Sequence, residues 1–312
     1  MRPGSGAGTW RLGDLTVRRV GLGAMRLTGT AAFHEGVPRD RERSIAVLRR
    51  AVGLGVNHID TAAFYFSRLR SANELINSAL SPYPDDLVIA TKVGPARDAS
   101  GAWAASARPD QLRGQVEENL RQLGRDQLDV VNLRVMGQTS AAEHFGALAE
   151  LRDAGLVRHL GISNASPAHL DEARAIAPVV CVQNSYGVDA RRSEPLLRAC
   201  AAHGIAFVPF FALAGAGRET GAGAAEAEEV LAIARAHGVG AHQVRLAWTL
   251  HQGPHVLAIP GTGNPDHLLA NLAAGDLRLD EEELALLDTV GRDTAGPTGR
   301  DTAEGRSTPE SR

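Results

Sequence analysis

Three residues suited to proton chemistry lie close together in the first third of the chain. Asp60 ends the run Gly55-Val-Asn-His-Ile-Asp, Tyr65 follows five residues on, and Lys92 ends a second apolar run, Leu87-Val-Ile-Ala-Thr. Of the 33 Lys and Arg residues, Lys92 is the only lysine. Where Arg is the default cation, a retained Lys points to a task that a forked, permanently charged guanidinium does not perform. Its compact ammonium has a pKa that responds to burial. An Asp, a Tyr and a Lys at neighbouring strand ends suggest a proton donor of lowered pKa. Desolvation raises a phenol and a nearby ammonium lowers it. The same three residues also fit a buried structural ion pair with Tyr65 as ordinary rim.

The elements that must hold these residues follow from apolar spacing. Short, nearly continuous apolar runs predict strands over 18–23, 57–60, 87–92, 128–133, 159–163, 179–184, 205–210 and 256–259. Amphipathic spacing, Pro starts and Gly stops predict helices over 41–54, 72–80, 109–123, 141–154, 167–175, 194–203, 225–237, 241–251, 265–273 and 281–290. Strands that are apolar throughout belong to a parallel sheet covered on both faces. Eight β/α units in one chain of this length suit a closed (β/α)8 TIM barrel, an α/β fold in a single domain. A doubly wound open sheet is the alternative. It would carry a G-x-G-x-x-G turn after an early strand, and Gly21-Leu-Gly-Ala-Met does not continue that way. The expected organisation is an N-terminal extension over 1–16, the barrel over 17–290, and a disordered tail over 291–312, where Gly, Thr, Arg, Ser and Pro leave almost nothing apolar.

Composition narrows the function classes. The 312 residues are 44% hydrophobic and 22% charged, as in an ordinary soluble globule, and the net charge is −3 with the basic residues scattered. That argues against nucleic acid and anionic membranes as partners. Cys181 and Cys200 form no C-x-x-C pair, which fits a reducing cytoplasm and no disulfide framework, and no metal site is expected. No apolar run is long enough for a membrane span, and the N-terminal residues lack the apolar core of a signal peptide. Oligomeric state is not legible.

In a barrel the chemistry sits at the C-terminal ends of the strands. Read in order after Asp60, Tyr65 and Lys92, these ends give Asn132 and Arg134, Ser163-Asn164, Gln183-Asn184, Phe210, and Pro260-Gly261-Thr262. Each has a bland reading: Asn164 as a helix cap, Gln183 and Asn184 as partners of loop backbone, Phe210 as core. Polar groups at so many consecutive ends favour a site. Two amides and an aromatic suit a flat heterocycle bearing a carboxamide. The run Ile259-Pro-Gly-Thr-Gly-Asn-Pro, leading into a helix, offers free N–H groups and a positive dipole end for a phosphate, or is a plain tight turn.

Taken together, Gly55-Val-Asn-His-Ile-Asp-Thr-Ala with Tyr65, Thr91-Lys92, Gly161-Ile-Ser-Asn, Val182-Gln-Asn, and Ile259-Pro-Gly-Thr with Asn271 resemble the aldo-keto reductases over nearly the whole ordered chain. The runs Leu128-Asp-Val-Val-Asn-Leu-Arg-Val-Met and Val208-Pro-Phe-Phe are most similar to bacterial pyridoxal reductase-like members. The resemblance implies NADPH-dependent reduction of a small aldehyde or ketone, with pyridoxal as the family-based substrate and a secondary-pathway carbonyl as its rival. It implies Tyr65 as general acid, Lys92 tuning it and Asp60 orienting Lys92. It also implies Ser163, Asn164 and Gln183 at the nicotinamide carboxamide, Phe210 on its ring, Leu213 to Gly215 along the pyrophosphate, and Gly261, Thr262, His267 and Asn271 at the adenosine end.

Three departures bear on that expectation. Arg134 stands where many members have a His, so a proton relay is replaced by a fixed cation able to stabilise an alkoxide or pair with a substrate anion. Phe66-Ser67 follows Tyr65 where most members have Gly. Gly261 and His267 replace common basic residues at the 2′-phosphate, and Ala270 a frequent acidic one, so NADH stays compatible with the sequence. The second class of function is an NADPH-binding sensor or subunit with little turnover. The substrate pocket depends on loops around Phe33, Phe66, Trp103 and 215–224.

Overall fold

The computed structural model describes residues 4–29, 37–98, 103, 106–210, 212 and 226–290. The expected tail, together with Phe33, Leu213 and Gly215, lies outside the described residues. Two short strands, β1 (Thr9–Leu12) and β2 (Leu15–Arg18), pair antiparallel as a hairpin. The parallel strands follow as β3 (Leu22–Gly23), β4 (His58–Asp60), β5 (Val88–Val93), β6 (Leu128–Arg134), β7 (Val157–Ser163), β8 (Val179–Gln183) and β9 (Ala206–Phe207), each bonded to the next in chain order. The outer helices are α1 (Arg41–Gly53), α2 (Ala72–Leu80), α3 (Leu112–Leu123), α4 (Ala142–Asp153), α5 (Pro167–Ile176), α6 (Glu194–Ala202), α7 (Glu228–His237), α8 (Ala241–His251), α9 (Pro265–Ala273) and α10 (Glu281–Leu287). Their starts are written in the sequence. Asp40, Ser166 and Asp280 each accept from a backbone N–H of the first turn.

The expected eighth strand closes the ring with single-residue bridges rather than a continuous ladder. Val256 pairs with Phe207, and Ala258 with Val20. Leu257 N donates to Phe207 O at 2.9 Å on one side, and Gly21 N to Ala258 O at 2.8 Å on the other. Arg19 braces this seam, its guanidinium donating to the carbonyls of Val256, Ala7, Leu250 and Gly253. The fold is the (β/α)8 barrel that the apolar runs predict. The hairpin was not foreseen, because strands of four residues in a mixed polar stretch leave no long apolar run.

Alternation along the strands divides the core. Ile89, Val131, Leu133, Ile162, Val182 and Phe207 face the helices in the larger cluster. Val88, Ala90, Val130, Cys181, Ala206, Val208 and Leu257 fill the barrel interior, where Leu12 and Val17 of the hairpin join them from the N-terminal end. The same parity carries inward Asp60, Lys92, Asn132 and Gln183 at the C-terminal end. Gly161 is required in this packing, because a Cβ there would collide with Asn132 and Cys181.

Candidate active site

The C-terminal mouth gathers the residues the sequence singled out. Asp60 and Lys92 come from non-adjacent positions of β4 and β5 and are 3% and 2% exposed. Lys92 Nζ donates to Asp60 Oδ1 at 2.6 Å and to Thr61 O at 2.9 Å. Gln183 Nε2 donates to the other carboxylate oxygen at 2.8 Å. Tyr65, 9% exposed, lies beyond β4, with Lys92 Nζ 4.8 Å from its ring centroid and within hydrogen-bonding reach of its hydroxyl. The carboxylate therefore aims the ammonium, and the ammonium meets the phenol.

A polar lattice outside the barrel fixes the two strands that carry this pair. Thr61 Oγ1 donates to Asn73 Oδ1 at 2.8 Å, and Thr91 Oγ1 donates to Asn119 Oδ1 at 2.6 Å. Asn73 Nδ2 donates to Asn119 Oδ1 at 2.9 Å, joining the two. Thr61 follows Asp60 and Thr91 precedes Lys92, so α2 and α3 grip both strands next to the buried pair. Neither Asn was foreseen. Apolar periodicity carries no sign of a buried amide on a helix.

Electrostatics separate the three groups. Burial pushes the Tyr65 phenol above its ordinary pKa. Lys92 and Arg134 pull it down, and Asp60 pushes it up. The expected lowering is thus a partial offset, because desolvation is the larger influence. Burial drives the Lys92 ammonium down, but Asp60 and Tyr65 outweigh it and its pKa stands above the usual lysine value. Tyr65 is protonated and Lys92 charged at neutral pH. His58, one inward position below Asp60, is held down to about 4 by burial, and its Nδ1 has no partner. The Cys181 thiol, beneath the site, is pushed up to about 12 by burial and stays a thiol.

The remaining predicted residues fall into two groups around the mouth. Ser163 and Gln183 are register partners on β7 and β8, both buried, and Ser163 Oγ and Gln183 Oε1 have no hydrogen-bond partner. Side by side these atoms offer a hydroxyl and an amide carbonyl, which fit the two halves of a carboxamide. Asn164 is left-handed, with φ 55°, and its NH2 donates to Val135 O at 3.0 Å. Asn184 turns out to be a loop staple, exchanging two hydrogen bonds with the Ala165 backbone. Arg134, the last residue of β6, places its Cζ 5.4 Å from the Phe210 ring centroid, and its buried Nε is unpartnered.

The second group surrounds the start of α9. Thr262 and Asn271 are buried, Gly261 is half-buried and His267 is exposed on the first turn. Two arginines that sequence reasoning passed over meet this loop from the start of α1. Arg39 lies against Gly263 and donates to Arg26 O at 3.1 Å, and Arg43 donates to Gly263 O at 3.1 Å. Neither has an acidic partner among the described residues. Burial lowers the Arg39 pKa, and the charge of Arg43 adds to that.

Among the described residues no cluster of His, Cys, Asp and Glu could hold a metal ion, and no helix is long and apolar enough to cross a membrane. The C-terminal mouth of the (β/α)8 barrel thus carries a buried Asp60–Lys92–Tyr65 chain beside two unpartnered polar atoms, Ser163 Oγ and Gln183 Oε1. The Aldo/keto reductase family model matches residues 19–292; the chain belongs to that family and is an NAD(P)H-dependent oxidoreductase. It is 44% identical to the pyridoxine 4-dehydrogenase of Escherichia coli, over 91% of this chain and 99% of that one. An uncharacterized oxidoreductase of Schizosaccharomyces pombe is 37% identical, over 92% and 91%. Among solved structures, an aldo/keto reductase of Klebsiella pneumoniae in complex with NADP and acetate superposes with a TM-score of 0.73 at 30% identity, over 90% of this chain and 94% of that one.

Proposed function

We propose that this protein reduces an aldehyde or ketone with NADPH, Tyr65 delivering the proton. The observation that carries the reading is the chain Gln183–Asp60–Lys92–Tyr65, buried and ending at a phenol on the mouth. NADPH, when bound, supplies the hydride. Tyr65 donates from its hydroxyl to the carbonyl oxygen as negative charge develops there. Lys92 stabilises the phenolate left behind, and Asp60 keeps Lys92 aimed and charged. Ser163, Asn164 and Gln183 hold the carboxamide, and Phe210 lies against the ring. Leu213 and Gly215, outside the described residues, are assigned to the pyrophosphate. Gly261, Thr262, His267 and Asn271 line the adenosine end, and Arg39 and Arg43 supply the positive charge there that favours a 2′-phosphate.

Arg134 belongs to the same machinery. It is a permanent cation beside the phenol and the cofactor ring, where it helps stabilise an alkoxide and attracts a substrate with an acidic oxygen near its carbonyl. Pyridoxal, an aldehyde with a ring hydroxyl, has that pattern, and the name of the Escherichia coli relative points the same way. The test is NADPH consumption with a panel of aldehydes by wild type and Tyr65→Phe. The variant should lose about 10²-fold or more in kcat while binding NADPH as before. Near-normal turnover in Tyr65→Phe sinks the assignment of the proton donor. NADPH binding without turnover of any carbonyl favours a sensor.

A further inference from the structure

Arg97 lies beyond the end of β5 and grips the backbone on both sides of Tyr65. Its Nη1 donates to the carbonyl of Phe64 at 3.0 Å and to that of Phe66 at 3.2 Å. Its Cζ is 4.1 Å from the Phe66 ring centroid and 5.7 Å from that of Trp103. The carbonyl between, that of Tyr65, accepts from Ala72 N at the start of α2 at 2.9 Å, and Tyr65 N donates to Ala62 O at 3.0 Å. Three successive carbonyls are therefore held, the outer two by a single guanidinium. The side chains repeat the arrangement. The Phe64 ring meets that of Tyr65 edge-on at 5.2 Å and leans on Trp103 at 5.8 Å.

We propose that Arg97 is a positioning residue that fixes the Tyr65 hydroxyl over Lys92, with Phe66 as the seat for its guanidinium. This rests on Tyr65 being the proton donor. Both bonds come from one nitrogen, Nη1, whose two N–H groups are fixed in the guanidinium plane and so hold the two carbonyls at a set spacing, whereas the N–H groups of an ammonium rotate on a flexible stem. Proton transfer requires the hydroxyl within hydrogen-bond reach of the reacting oxygen, and a misplacement of about 1 Å costs about 10²-fold in rate. The residue after Tyr65 matters for the same reason. Phe66 gives the guanidinium a face to stack on, and the clamp then closes over the whole segment 64–66. Tyr65 draws its offset in acidity from Lys92, so a loosened segment also weakens that influence.

The experiment compares wild type with Arg97→Met, Arg97→Lys, Phe66→Leu and Tyr65→Phe, using one small uncharged aldehyde at saturating NADPH. Readouts are kcat, KM, the pH profile of kcat, NADPH affinity by fluorescence, and Tm. Arg97→Met should lower kcat by about 10- to 10²-fold while KM and NADPH affinity stay within about threefold. With Tyr65 still buried against Phe64, the variant's alkaline limb should move to higher pH, because the phenol loses the Lys92 influence and keeps the desolvation that raises it. Arg97→Lys should recover part of the rate, and Phe66→Leu should fall between Arg97→Lys and wild type. Arg97→Met with the wild-type kcat and pH profile overturns the proposal, as does a drop in Tm with unchanged turnover per folded molecule. If Tyr65→Phe is inactive and Arg97→Met fully active, only the role of Arg97 fails. If Tyr65→Phe is as active as wild type, the proton donor and its clamp fail together.

Discussion

At the N-terminal end of the barrel, Leu12 and Val17 of the hairpin meet Val88, Ala206 and Leu257. At the C-terminal end the same strands turn inward Asp60, Lys92, Asn132 and Gln183, with Ser163 beside them. The first set is apolar and closed. The second is charged, buried, and retains two polar atoms with no partner, Ser163 Oγ and Gln183 Oε1. Buried polar atoms are ordinarily satisfied, because an unmade hydrogen bond costs about 1–3 kcal/mol. Parity alone sends both sets inward, so strand geometry does not distinguish them. What differs is polarity: the hairpin end packs mostly carbon on carbon and stabilises the ring, whereas the C-terminal end buries charges and amides at a cost in stability.

Each end can be broken separately. Lys92→Met should have the largest effect, because it strikes rate and stability at once. Removing one partner of a buried ion pair costs about 3–5 kcal/mol, and losing the support of the proposed general acid about 10²–10⁴-fold in kcat. Chemical denaturation beside steady-state kinetics measures both, and a stable, active variant would mean that the pair supports neither. Leu12→Ala tests the opposite end. The cavity should cost about 2–5 kcal/mol in unfolding free energy, with kcat unchanged well below the melting temperature. If kcat fell with it, the two ends would be coupled rather than separate.

Arg134→Met should do the reverse of Leu12→Ala, leaving Tm nearly constant while changing selectivity. A charge-assisted hydrogen bond of about 1.5–3 kcal/mol corresponds to about 10- to 10²-fold in kcat/KM for a phenolic aldehyde, and much less for an aliphatic one. Equal losses for both aldehydes would rule out pairing with the substrate. The smallest effect belongs to Asp14 at the hairpin turn, whose carboxyl is held well below the carboxylate range by Arg158 and His159. A carboxyl with a lower pKa in the folded state contributes stability above its unfolded value and loses it on acidification. Asp14→Asn should therefore lower Tm slightly at neutral pH, with the gap to wild type closing as pH falls below 3.8. A gap that persisted in acid would mean that the turn, not the charge, holds the hairpin.

The parts of this molecule that repeat were readable from the sequence. Apolar runs marked β4 to β8 within a residue or two, and proline starts such as Pro167 marked where helices begin. Asp60, Lys92, Ser163 and Gln183 stood out because they interrupt apolar strands at one end. Contacts between distant loops left no such mark. Arg97 on the carbonyls of Phe64 and Phe66, Arg43 on Gly263 and Arg19 on the seam all join a side chain to backbone far away in sequence. In a chain where Arg is abundant, nothing in composition sets these arginines apart. The direction of the Tyr65 shift was misjudged for a related reason: the Lys92 neighbour is visible in the motif, whereas the depth of burial is a property of the assembled mouth.

Lys92 is also the molecule's only side-chain amine, and it is 2% exposed and protonated. Acylating reagents attack neutral, accessible amines, so in the folded protein this nitrogen is protected twice. Any acyl group found on it marks a molecule whose buried site has opened, and peptide mapping separates it from acylation of the α-amino terminus. Coupling chemistry aimed at surface lysines finds none here, which leaves the α-amino terminus as the point of attachment through an amine. The residue on which the proposed chemistry turns is thereby an internal label for the integrity of the site.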